Sequence, residues 1–226
     1  MKKAAVFAYG LLAYALFFVT ILYAMGFVAN LGVPKSIDSG EPGPALPALL
    51  VNSLLLGAFA VQHTIMARPS FKRWVTRYMP AAAERSTFVL IASGLLLFAF
   101  WQWRPMPGVI WRVDSEPAAS ALDAGYWFGW FLVFFSTFLI NHFDLFGLRQ
   151  VWLNLRGRRY PPLVFRMTGL YRVVRHPLML GFLIAFWSAP VMTEGRLLFA
   201  ALTSAYILAG IQFEERDLER AHGEAY

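Results

Sequence analysis

The 226-residue chain is 58% hydrophobic and only 15% charged, with a formal net charge of +7 and no cysteine. Soluble domains carry about 25% charged residues, so this composition excludes an ordinary water-soluble globule. The missing cysteines exclude disulfides, thiolate metal sites and a thiol nucleophile.

The first uncharged run, residues 4–31, exceeds the roughly 20 residues that cross a hydrocarbon core. It is also far longer than the ~7–15 apolar residues of a signal peptide, and no A-x-A-like site closes it. It is therefore expected to be a retained span. Further runs follow at about 45–67, 86–103, 125–143, 178–192 and 197–213. The last two are short and only "TEGR" (193–196) separates them, which predicts a helical hairpin. The expected fold is all-α: one domain over 1–226, a polytopic transmembrane bundle of five to six spans ending in that hairpin.

Loop charge gives the orientation, because Lys and Arg stay preferentially on the cytoplasmic side. Lys2 and Lys3 open the chain, and the loop after span one sets Lys35 against Asp38 and Glu41. The next loop carries Arg68, Lys72, Arg73, Arg77 and Arg85 against Glu84 alone. Arg104 and Arg112 then face Asp114, Glu116 and Asp123, and residues 145–176 hold seven arginines and no acid. This alternation predicts a multi-pass protein of a bacterial inner membrane with both termini cytoplasmic. Orientation thus accounts for the net charge without a nucleic-acid partner. Contact with anionic lipid headgroups follows from the same basic face, and no obligate protein partner is evident.

The hairpin brings two charged groups together. Arg175 and His176 enter it, within "TGLYRVVRHPLMLG" (168–181), and Glu214 and Glu215 leave it. The arginine and histidine suit a carboxylate, and Pro177 fits a first helical turn whose amides also favour an anion. The glutamates suit an ammonium or sulfonium. S-adenosylmethionine carries that combination of charges, and Gly181 leaves room for a ligand near the backbone. The same residues also suit a plain membrane edge with a solvated helix end.

"GLYRVVRHPLMLGF", an apolar hairpin, then "EERDL" and "HGEAY" resemble the C-terminal half of the isoprenylcysteine carboxyl methyltransferase and phospholipid methyltransferase superfamily, over about 165–226. "VQHTIMARPSFKRW" (61–74), "ERSTFVL" (84–90) and "NHFDLFGLRQVW" (141–152) are similar to its bacterial methanethiol S-methyltransferase branch, which makes dimethyl sulfide. The resemblance implies an integral membrane enzyme that uses S-adenosylmethionine. It also implies that Tyr171, Arg175, His176, Gly181, Glu214 and Glu215 hold that cofactor. Two departures stand out. Leu178 and Met179 follow the proline where many relatives have Tyr, and the chain stops at Tyr226 where relatives commonly continue with basic residues. No G-x-G occurs, so a Rossmann-type site is not expected.

Polar groups inside spans are costly and tend to be functional. Gln62 and His63 stand near the inner end of span two, and Asn141, His142 and Asp144 near that of span four. A methyl transfer to a thiol needs its proton removed, and a histidine is a suitable base. His142 is the first candidate, with Asp144 as its orienting or electrostatic support and His63 as the second candidate. Their spacing of two points His142 and Asp144 apart on a straight helix, so Asp144 is also free to pair with a loop arginine. Interfacial pairing with headgroups is the structural alternative for all three, and no metal site is expected. A lipid or isoprenylcysteine-type acceptor on the same fold stays open. So does a haem-binding or transport protein using His63, His142 and His176.

Overall fold

The computed structural model describes residues 2–161 and 174–222, and beyond Phe213 the side chains of Glu215 and Arg216 only. Helix α1 (Lys3–Ala29) ends where Asn30 turns left-handed and its N–H caps the Gly26 carbonyl. α2 (Ala45–Ala67) stops at Arg68, which precedes Pro69 and so disfavours further helix. Pro69 then opens the short α3 (Pro69–Val75). α4 (Ala81–Gln102) follows Pro80, and α5 (Glu116–Ile140) carries Pro117 in its first turn. Two short helices, α6 (His142–Leu145) and α7 (Leu148–Leu155), follow. The described chain closes with α8 (Pro177–Trp187) and α9 (Glu194–His222).

Among the described residues, five helices are long and apolar enough to cross a membrane: Lys3–Ala29, Ala45–Ala67, Ala81–Gln102, Glu116–Ile140 and Glu194–Phe213. Their outer faces carry large apolar side chains, Leu54 being 72% exposed, as lipid-facing surfaces do. The chain is an integral membrane protein.

Two expectations change in detail. The fourth span begins at Glu116 rather than near 125, because the helix includes the charged Glu116 and Asp123 that precede the apolar run. The hairpin's first arm is helical for only 11 residues, a rise of roughly 16 Å. Pro190 ends that helix, and the chain runs on extended into β2 (Val191–Thr193). "TEGR" is therefore not the turn: Glu194 to Arg196 already belong to α9. β2 pairs antiparallel with β1 (Val109–Arg112), with Trp111 opposite Met192. This ribbon was not foreseen.

The helices touch in the cyclic order α1, α4, α2, α9, α8, α5. The ring closes between α5 and α1, where the Tyr126 hydroxyl donates to the Met25 carbonyl. One end is filled by Phe27, Phe100, Trp103, Trp130, Phe186 and Phe199. Polar ties cap it: Asn52, fully buried, bonds both the carbonyl and the amide of Arg104 at 2.8 and 2.9 Å. Thr193 donates to Asp38 at 2.6 Å. The other, arginine-rich end holds His63, His142, Arg175, His176 and Glu215.

The height of α8 is set by α5. A Cβ on Gly129 would stand 2.5 Å from the Ala185 amide nitrogen, and one on Gly181 would stand 2.7 Å from the Gly129 carbonyl oxygen. Two glycines thus let the backbones touch, as small residues do at membrane helix crossings. Counting roughly 1.5 Å per residue from that crossing, His176 lies level with Ser136 and Thr137.

Candidate functional site

At the mouth of the hairpin, Arg175 and His176 immediately precede the first turn of α8. Both meet the same Glu215 oxygen of α9: Arg175 Nη1 at 3.7 Å and His176 Nε2 at 3.4 Å. The arginine side chain is 62% exposed and the histidine 13%. The contacts are long, and at this exposure such a pair contributes little to stability. The arrangement sets two donors and one carboxylate side by side. Tyr171 lies outside the described residues, and so does the side chain of Glu214, although its backbone continues α9.

Gly181 requires a correction. It was expected to leave space for a ligand, but that space is taken by Gly129 and Val133 of α5. Its missing side chain serves helix packing, and through it the height at which Arg175 and His176 stand.

His142 follows a sharp break. Asn141, at φ 152°, turns the chain back after α5, and its side-chain oxygen accepts from the Asp144 amide. The imidazole is thereby folded onto Thr137 and is 4% exposed. Its Nδ1 is 2.8 Å from Thr137 Oγ1, and its Nε2 is 2.8 Å from the Tyr14 hydroxyl of α1. Thr137 donates its one proton to the Phe134 carbonyl at 2.6 Å, so it accepts from His142 Nδ1–H. Nε2 is then the acceptor and Tyr14 its donor. Phe138 stacks on the ring at 4.4 Å, with Phe146 at 4.9 Å. Burial pushes the imidazole below its ordinary value of 6.5, so the ring is neutral at pH 7.

Asp144 does not orient that ring. Its carboxylate accepts from Arg149 at 3.1 Å and from the Tyr160 hydroxyl at 2.8 Å. The loop-arginine alternative is the one the fold uses, because the α6 turn points the two side chains apart. Tyr160 is pushed above 10, first by burial and then by its bond to Asp144. Arg85 of α4 ties this turn down by donating to the Leu145 carbonyl at 2.7 Å. Gly147, at φ 87°, permits the close approach: a Cβ there would stand 2.8 Å from Ser86 Oγ.

His63 faces the opposite way. Its Nδ1 is 2.9 Å from the Tyr206 hydroxyl of α9, and its ring lies 4.8 Å from Phe88. Phe88 belongs to an apolar cluster with Met66, Phe17 and Phe146. Phe146 in turn touches His142. The two histidines therefore stand on either side of one aromatic cluster, and each points at a tyrosine rather than at the other.

The structure thus gathers Arg175, His176 and Glu215 at the hairpin mouth, with His142 at a similar height and His63 across the cluster. The sequence reading missed Tyr14, Thr137 and Tyr206. Each is a hydroxyl inside an apolar span, which is itself a signal, but nothing local in the sequence ties Tyr14 to a histidine 128 residues away.

No family model matches the chain, and no solved structure matches it. The chain is 52% identical to Methanethiol S-methyltransferase 2 of Bradyrhizobium diazoefficiens, over 99% of its own length and 86% of that protein. It is 52% identical to Methanethiol S-methyltransferase of Mycobacterium tuberculosis, over 100% of its own length and 93% of that protein. Nurim of Mus musculus is a more distant relative, 28% identical over 76% of the chain and 69% of that protein.

Proposed function

Since the chain belongs to the methanethiol S-methyltransferase family, we propose that it moves a methyl group from S-adenosylmethionine to methanethiol, giving dimethyl sulfide, at its arginine-rich end. The observation that carries the placement of the donor is the meeting of Arg175 and His176 with Glu215 across the hairpin mouth. The set fits S-adenosylmethionine. A guanidinium forks around its carboxylate, the first amides of an 11-residue helix favour the same anion, and Glu215 answers its ammonium or sulfonium. When bound, it supplies a methyl group on a sulfonium centre. By resemblance, Tyr171 and Glu214 complete the cradle.

The protein's own part is to hold the acceptor in line, exclude water and take its proton. His142 is our candidate base: neutral, buried, and held in one tautomer by Thr137. His63 is the second candidate. Asp144 acts on neither ring and instead fixes the turn that carries His142, through Arg149 and Tyr160. Proximity in an aromatic, water-poor interior supplies the rest of the rate. We read the arginine-rich end as cytoplasmic, in a bacterial inner membrane, by the bias of Lys and Arg.

The test is to give the purified protein S-adenosylmethionine labelled in its methyl group together with methanethiol. Labelled dimethyl sulfide in the headspace is expected. Label in lipid or in carboxyl esters instead would overturn the acceptor assignment.

A further inference from the structure

His142 has no nitrogen left for an acceptor. Nδ1–H is committed to Thr137, and Nε2 accepts from Tyr14. Phe138 covers one face of the ring, and Phe143 and Phe146 meet it at steep angles. The hydroxyl of Tyr14 is the only polar group among the described residues that meets Nε2, and Tyr14 is only partly buried while His142 is 4% exposed.

We propose that Tyr14 is a catalytic residue: it takes the thiol's proton and passes its own to His142. This rests on the thiol S-methylation reading above, with His142 as the base. As the thiol sulfur forms its new bond to carbon, its S–H bond breaks and the proton goes to Tyr14 Oη. The Tyr14 proton moves along the 2.8 Å bond to Nε2, giving an imidazolium that still donates to Thr137. The electron pair of the broken methyl–sulfonium bond stays with the methyl donor. The imidazolium returns its proton through Tyr14 to water after product leaves, which restores the starting state.

The charged and titratable neighbours leave this route intact. Arg85 of α4 is tied to the Leu145 carbonyl, and Asp144 to Arg149 and Tyr160. On α8, His176 meets Glu215. The two faces of the relay are thus set by hydroxyls, Tyr14 on one side and Thr137 on the other.

The test compares the parent, Tyr14→Phe and His142→Gln with two small thiols. One is methanethiol, and the other is 2,2,2-trifluoroethanethiol, whose fluorines make it far more acidic. Tyr14→Phe is expected to lose about 10²-fold or more with methanethiol near neutrality, to recover as pH rises, and to lose little with the acidic thiol. An equal loss with both thiols, or none with either, would overturn the relay. If His142→Gln shows the selective loss and Tyr14→Phe does not, the base stands and the relay falls. If neither shows it, the base assignment falls too, and a parent that methylates no thiol removes the function itself. Independently of turnover, ¹⁵N spectra of the histidine-labelled parent should show His142 protonated at Nδ1 only. A proton on Nε2 instead would end the proposal whatever the variants do.

Discussion

Gly129 and Gly181 meet backbone to backbone where α5 crosses α8: a methyl group on Gly181 would stand 2.7 Å from the Gly129 carbonyl oxygen and 2.9 Å from the Val133 amide nitrogen. Neither atom can yield without moving a helix. Gly181→Ala is therefore expected to destabilise the protein by about 1–3 kcal/mol, as overpacking does, and Gly181→Val to prevent its accumulation. Thermal unfolding in detergent checks this. An unchanged melting temperature with lost donor affinity would instead return Gly181 to the ligand.

Asn52 provides a control at the opposite end. Its amide satisfies both backbone groups of Arg104 from a fully buried position. Asn52→Ala leaves them without that partner, at about 1–3 kcal/mol for each group that stays buried. A clear fall in melting temperature is expected, with donor affinity unchanged in the folded protein. Calorimetry and thermal unfolding on the same sample read both.

Asp144→Asn should separate structure from catalysis. It removes the charge that Arg149 meets at 3.1 Å, while the new amide oxygen still accepts from Tyr160. The expected cost is the low end of about 1.5–3 kcal/mol, since Arg149 is 28% exposed and keeps access to solvent. The acid limb of the rate should stay in place, because Asp144 makes no contact with His142. A displaced limb in a pH–rate profile would restore Asp144 as the ring's electrostatic support.

Burial sets the pH behaviour of His142. Its folded value lies below 6.5, so on acidification the unfolded chain takes up a proton before the folded one does. The ring's contribution to stability is present above 6.5 and is lost as pH falls through the folded value. The acid limb of turnover should likewise lie below 6.5. His142→Gln should abolish the acid limb of turnover, whereas His63→Gln should leave that limb in place. If His63→Gln removes the limb, His63 is the base.

The spans could be read from the sequence because lipid demands long uncharged helices, and the 45–67 run matches α2 residue for residue. Where a helix leaves the hydrocarbon, that rule loses force: Glu116 and Asp123 hid the first turns of α5. The apolar run 178–192 does not by itself distinguish helix from strand, and Pro190 was the only local mark of the change. Arg175, His176 and Glu215 could be paired from hairpin topology alone. The partners of His142 could not, because the bend at Asn141 decides which way the ring points. Gly181 was misread for a related reason. A glycine signals close approach without saying what approaches.

The most direct measurement is calorimetric titration of S-adenosylmethionine into the purified parent, Arg175→Ala and Glu215→Gln. Each substitution removes a charge-assisted contact contributing about 1.5–3 kcal/mol, so affinity should fall about tenfold to a hundredfold in each, with melting temperatures near the parent's. Unchanged affinity in both folded variants would contradict the placement of the methyl donor between α8 and α9.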